Sequence, residues 1–74
     1  MMLLQNTIVE ILTSGGGLRI NAAGWMPTTL VSFAAAARRG NARLEIVVGD
    51  TLLMPATMAE IGAAGAGAVL FDVR

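Results

Sequence analysis

The sequence predicts an α/β fold: a single domain over residues 1–74, built as three helix-strand units (αβαβαβ), with a small parallel sheet that carries helices on one face and leaves the other face open. Three observations predict it. Stretches with apolar residues at helical spacing alternate with short segments of period-two alternation. The pentads MPTTL (Met26 to Leu30) and MPATM (Met54 to Met58) nearly duplicate one another, as expected of a structural unit written more than once. The strand-like segments alternate, whereas parallel strands covered on both faces read as unbroken apolar runs, so helices are expected on one side only.

The first unit opens with Asn6 as the expected helix cap, followed by Ile8, Ile11 and Leu12 as the buried face and Gly15-Gly16-Gly17 as the exit. Residues 7–13 also admit a strand, which would make the chain βαβαβ, and this alternative stays open here. Leu18-Arg19-Ile20-Asn21 alternates and is the first strand.

The second helix starts at Pro27, where a missing N–H and a fixed helical φ suit the first turn. Leu30, Phe33, Ala34 and Ala37 then fall on one face. Arg38 and Arg39 complement the negative pole of the helix dipole, and Gly40 is expected to close the helix in the left-handed conformation. Met26 is expected to pack at the entry as a hydrophobic staple, with Met54 in the same role one unit later. The second strand spans Arg43 to Val48.

Pro55 opens the third helix, with Met58, Ile61, Gly62 and Gly65 on its buried face. A glycine inside a helix is destabilising, so Gly62 predicts close approach of a neighbouring backbone. The third strand is Val69 to Val73. The three segments also overlay: Thr57 to Ile61 lies over Thr7 to Ile11, with Gly65 over Gly15 and Gly67 over Gly17, and Thr29 to Phe33 lies over Thr57 to Ile61 as well.

Strands joined through single helices run parallel. Leu18, Ile20, Leu44, Ile46, Val48, Val69, Phe71 and Val73 are then expected to face the helices, and Arg19, Asn21, Glu45, Val47, Leu70 and Asp72 to form the open face. In the simplest register Arg19 sits beside Glu45, and Val47 lies between Asn21 and Asp72. Much of the 55% hydrophobic content is alanine, which predicts a thin core with closely spaced elements.

Composition excludes several function classes. Histidine, cysteine, lysine and tyrosine are all absent, which removes the usual nucleophile-base pairs, Schiff-base chemistry and zinc sites, and no cofactor or metal is expected. Glu10, Glu45, Asp50, Glu60 and Asp72 fit solvated faces or a loop, and the expectation is that the chain is no enzyme. The glycine clusters follow helices and lead into strands, the reverse of a phosphate-binding loop. Five arginines balance five acidic residues, so nothing global attracts nucleic acid or an anionic membrane. Arg38, Arg39 and Arg43 form one basic cluster without interleaved aromatics, which reads as a dipole complement and solvated loop. No apolar stretch approaches the roughly 20 residues that cross a bilayer, and no secretory leader is evident, so a cytoplasmic protein is expected.

The run ARLEIVVGDTLLMPATMAEIGAAGAGAVLFDV resembles the strand-then-helix rhythm of leucine-rich repeats, a resemblance that implies a curved parallel sheet with helices outside and a partner bound on the sheet. Through LRINAAG, LVSFAAAARR and GAVLFDV the chain is also similar to the STAS domains of anti-sigma-factor antagonists. That likeness implies a regulatory switch phosphorylated at a helix start, carried here onto Thr28 or Thr29.

The function expected is a non-enzymatic interaction or self-assembly module that uses the open sheet face to bind a protein partner or further copies of itself as a homo-oligomer. Arg19, Asn21, Glu45, Val47, Leu70 and Asp72 are its candidate interface residues, joined by Trp25 in the loop before the second helix, which otherwise reads as a plug at the helix entry. A domain this short buries a limited share of its surface, and with no disulfide or metal to staple it, association is the common remedy.

Overall fold

A computed structural model describes residues 4–49 and 53–73. The elements run α1 (Gln5–Thr13), β1 (Leu18–Asn21), α2 (Pro27–Arg39), β2 (Leu44–Val47), α3 (Pro55–Gly65) and β3 (Val69–Asp72), so residues 7–13 are helical and the αβαβαβ order holds. The three strands form one parallel sheet in the order β1-β2-β3. Helix α2 packs between α1 and α3.

The alternation in the strands sets which way they face. Leu44 and Ile46 of β2 are fully buried with Ile8, Leu12, Leu30, Phe33 and Ile61, and Leu18, Ile20, Val69 and Phe71 pack against that core from the flanking strands. Burying a large aliphatic or aromatic side chain of this kind contributes about 1.5–3 kcal/mol. On α2, Ala34, Ala36 and Ala37 are buried without a protruding side chain, which lets α1 and α3 approach on either side. The thin core expected from the alanine content is built this way.

Details at the ends of elements differ from expectation. Helix α1 begins one residue ahead of Asn6: the carbonyl of Leu4 accepts the N–H of Ile8 at 3.1 Å, which makes Leu4 the N-cap and leaves Asn6 exposed in the first turn. Met26 and Met54 also stand at N-caps, in extended conformation, with their side chains 70% and 61% exposed, so neither is a staple. The residues before them, Trp25 and Leu53, are half-buried against the core and occupy the staple position instead. Methionine has no oxygen with which to accept a first-turn N–H, and neither methionine side chain makes a capping hydrogen bond.

Val48 and Val73 fall beyond the paired rows. The last row is Val47↔Asp72, and the N–H of Val48 bonds the carbonyl of Asp72 at 2.8 Å. Past that row Val73 is 71% exposed rather than facing the helices, and Val48 is half-buried outside the core.

Two glycines play roles other than those expected. Gly40 keeps a right-handed conformation (φ −87°), and the left-handed turn after α2 falls on Asn41 (φ 55°), a residue type that tolerates it. Gly40 is needed for space: a Cβ there would run into the carbonyl oxygen of Leu12 and the backbone of Thr13 at the end of α1. Among the described residues nothing beyond the surrounding backbone of α3 itself lies within 4 Å of a Cβ at Gly62, so no neighbouring backbone approaches it there. The close approach on α3 is at Gly65, where a Cβ would collide with the Val69 side chain and touch Ala34 Cβ at 3.5 Å. Met58 is likewise only half-buried and packs outside the core.

Candidate interaction face

With all helices on one side, the outward residues of the strands form an uncovered surface. Its rows are set by the register: Arg19, Glu45 and Leu70 lie side by side, and Asn21, Val47 and Asp72 form the next outward row. The placement of Arg19 beside Glu45, and of Val47 between Asn21 and Asp72, is the one the sequence predicts. A slip of one residue in any strand would have turned the apolar set outward.

Arg19 organises the charges on this face. Its guanidinium lies 3.4 Å from Glu45 Oε1 through Nη1, and Nη2 donates a hydrogen bond to Asp72 Oδ2 at 2.9 Å. The side chain therefore starts on edge strand β1, passes the carboxylate directly opposite on β2, and reaches the carboxylate one outward row further on β3. Exposed pairs of this sort contribute roughly 0.2–1 kcal/mol each and weaken with salt, so the bridge fixes side-chain positions more than it stabilises the fold. Beside it Leu70 stands 49% exposed, and Val47 is half-buried. The result is an amphipathic patch on a rigid backbone, with its cation and carboxylates already facing one another.

The other candidate residues lie elsewhere. Trp25 sits at the entry of α2, half-buried, with its ring T-shaped to that of Phe33 at a centroid distance of 5.0 Å and an interplanar angle of 80°. Packed into the helix side of the sheet, it is not gathered with the open face. Thr28 is exposed and Thr29 half-buried in the first turn of α2, which contains no acidic residue. Asp50 lies outside the described residues.

Sequence reasoning missed two features. Arg38 and Arg43 come together on a hollow of about 360 Å³ whose opposite wall is Gly65 to Ala68, at the end of the molecule where α2 and α3 finish. Arg43 and Arg19 share a second hollow of about 230 Å³ with Gly17, Leu18 and Glu45. The arginine cluster was visible in the sequence, but the glycine-rich wall opposite was not, because it is brought there by α3. At the other end of the molecule the three N-caps Leu4, Met26 and Met54 are all exposed. Among the described residues no three acidic side chains gather as a metal site would require, and no helix is long and apolar enough to cross a membrane.

No protein-family model, curated protein or solved structure matches the chain.

Proposed function

We propose that this chain is a non-enzymatic protein-interaction module that associates through its open sheet face. The observation that carries the reading is Leu70, a large aliphatic side chain held half in solvent on a rigid strand, with Val47 nearby and the Arg19–Glu45–Asp72 bridge across the same surface. An apolar patch rimmed by fixed charges is the composition of an interface core and rim. The sheet positions it without loops, so little ordering is required on binding. Partnered docking on an outward sheet face is also what the leucine-rich-repeat resemblance implies.

The test is light scattering over a range of concentrations for the wild-type chain and the Val47→Asp/Leu70→Asp double variant. Concentration-dependent assembly is expected for the wild type, with several-fold weaker association in the variant and an unchanged far-UV circular dichroism spectrum. Assembly that persists undiminished in the folded variant would remove the open face from the interface.

A second reading rests on Thr28. Its exposure in the first turn of α2, where no acidic side chain already occupies the positive pole of the helix, makes a phosphate there electrostatically favourable. Intact-mass spectrometry of protein purified from its native host is expected to show a phosphorylated fraction that Thr28→Val abolishes. Unmodified protein under every growth condition sampled would leave the switch without support.

A further inference from the structure

The two sides of the stack are unfinished. The inward side chains of the central strand, Leu44 and Ile46, are fully buried, whereas their equivalents on the edge strands, Leu18 and Ile20 on β1 and Val69 and Phe71 on β3, are only half-buried. Among the described residues each edge strand is paired on one side alone. Proteins made of stacked units ordinarily close such sides with polar flanks. Here the flanks are apolar or small. Ile11 on α1 and Met58 on α3 are half-buried yet pack outside the core, while Val9 and Ala64 pack against it. Helical spacing puts Thr7 with Ile11 and Gly62 with Met58, on the flanks away from Val9 and Ala64 respectively. Because α2 lies between the other two helices, these are the outer flanks of the molecule.

The two outer flanks are also of opposite hand, as a head-to-tail stack requires. Viewed down the helix axes, Ile11 lies on the counter-clockwise side of the Ile8–Leu12 face, and Met58 on the clockwise side of the Ile61–Gly65 face, by the 100° step of an α-helix. The flank of α3 therefore matches the flank of α1 in the same sense in which α2 already meets each neighbour. Gly62 leaves open space for a helix to come close.

We propose that copies of this chain add end to end, with β3 of one copy pairing in parallel with β1 of the next and α3 packing on the next α1. Continuing the observed register places Val69 beside Leu18 and Phe71 beside Ile20 of the next copy on the inward face, completing the half-buried positions. On the outward face, Leu70 comes beside the aliphatic stem of Arg19 of the next copy. Asp72 comes beside Asn21, whose amide can donate to a carboxylate. The same register thus matches both faces at once. A contact of this type is heterologous and not closed by a two-fold axis, so it generates rings or open filaments. It pairs the edges of the sheet and leaves Val47, on the central strand, free for the open face, while Leu70 would take part in either contact.

The experiment uses two variants, each with one end blocked, in a Val47→Asp background that silences the open face. Gly62→Glu places a charge on the α3 flank and substitutes a good helix former for glycine, and Thr7→Glu places a charge on the α1 flank in a first turn that favours acidic residues. Both are expected to stay folded by circular dichroism. With both ends free, the background protein should grow in mass with concentration in light scattering. Each blocked variant alone should remain at monomer mass, and an equimolar mixture should reach twice that mass and stop, since one free head meets one free tail. Blocked variants that still assemble alone, a mixture that stays monomeric, or an unblocked background that never assembles would each overturn the proposal. Loss of assembly from Val47→Asp, set against the wild type, separately reports on the open face.

Discussion

Replacing Phe33 with alanine is expected to remove about 3–5 kcal/mol of stability, the largest loss of any single truncation in this chain. Phe33 is fully buried on α2, the helix that touches both others, so no neighbour can move in to fill the space without abandoning its own contacts. Its ring also meets that of Trp25 in a T-shaped contact worth about 0.5–1.5 kcal/mol beyond the area buried. Small domains sit near the lower end of the roughly 5–15 kcal/mol by which natural proteins are stable, so this one substitution consumes most of the margin. Each kcal/mol corresponds to about 4–8 °C in a domain of this size, and the melting temperature is expected to fall by tens of degrees. Trp25 is the single tryptophan, which gives the experiment its own reporter. Its emission should shift to the red in the folded variant, as the indole loses the ring against which it is packed. Urea denaturation followed by that fluorescence would contradict the assignment of Phe33 to the core if the variant lost less than about 1 kcal/mol, the typical cost of an arbitrary substitution.

Phe33 belongs to the part of the fold that periodicity makes readable. A side chain's distance along a helix or strand determines its direction, so Leu30, Phe33, Ala34 and Ala37 could be assigned to a buried face before any tertiary contact was known, and all four are buried. The same logic placed Arg19, Glu45, Val47 and Leu70 on the outward face and aligned the strands row by row. What periodicity does not encode is the distance between elements remote in the chain. Gly40 and Gly62 show this directly: the sequence points to a left-handed terminator at the first and a close contact at the second, whereas the close contact is at Gly40, against the end of α1, and the Cβ position of Gly62 is open. The reach of Arg19 past Glu45 to Asp72 is another case, because it depends on the lateral offset of three strands as well as on which face each residue occupies. The methionines failed for a local reason. One position separates an N-cap from the residue before it, and that single step exchanges an exposed side chain for the half-buried Trp25 and Leu53.

Gly40→Ala is expected to destabilise the protein by about 1–3 kcal/mol or more, the range for forcing volume into a packed site. The conformational argument alone predicts the opposite sign. Gly40 has φ −87°, which alanine adopts without strain, and removing a glycine from a compatible position normally stabilises by about 0.4–1 kcal/mol through the unfolded chain. The steric argument wins because the obstacle is backbone: the added Cβ would meet the carbonyl oxygen of Leu12, with Thr13 carbonyl carbon and Cα at 2.7 and 2.8 Å. A flexible side chain could swing away, but the last turn of α1 cannot do so without lifting Leu12 out of the core, where it is fully buried. Gly62→Ala supplies the control of opposite sign, since its Cβ enters open space inside α3 and should stabilise by about 0.5–1 kcal/mol. Urea midpoints of the two variants should therefore move in opposite directions from the wild type. A Gly40→Ala protein as stable as its parent would mean that α1 does not rest on the end of α2, and the seating of the first unit on the second would have to be redrawn.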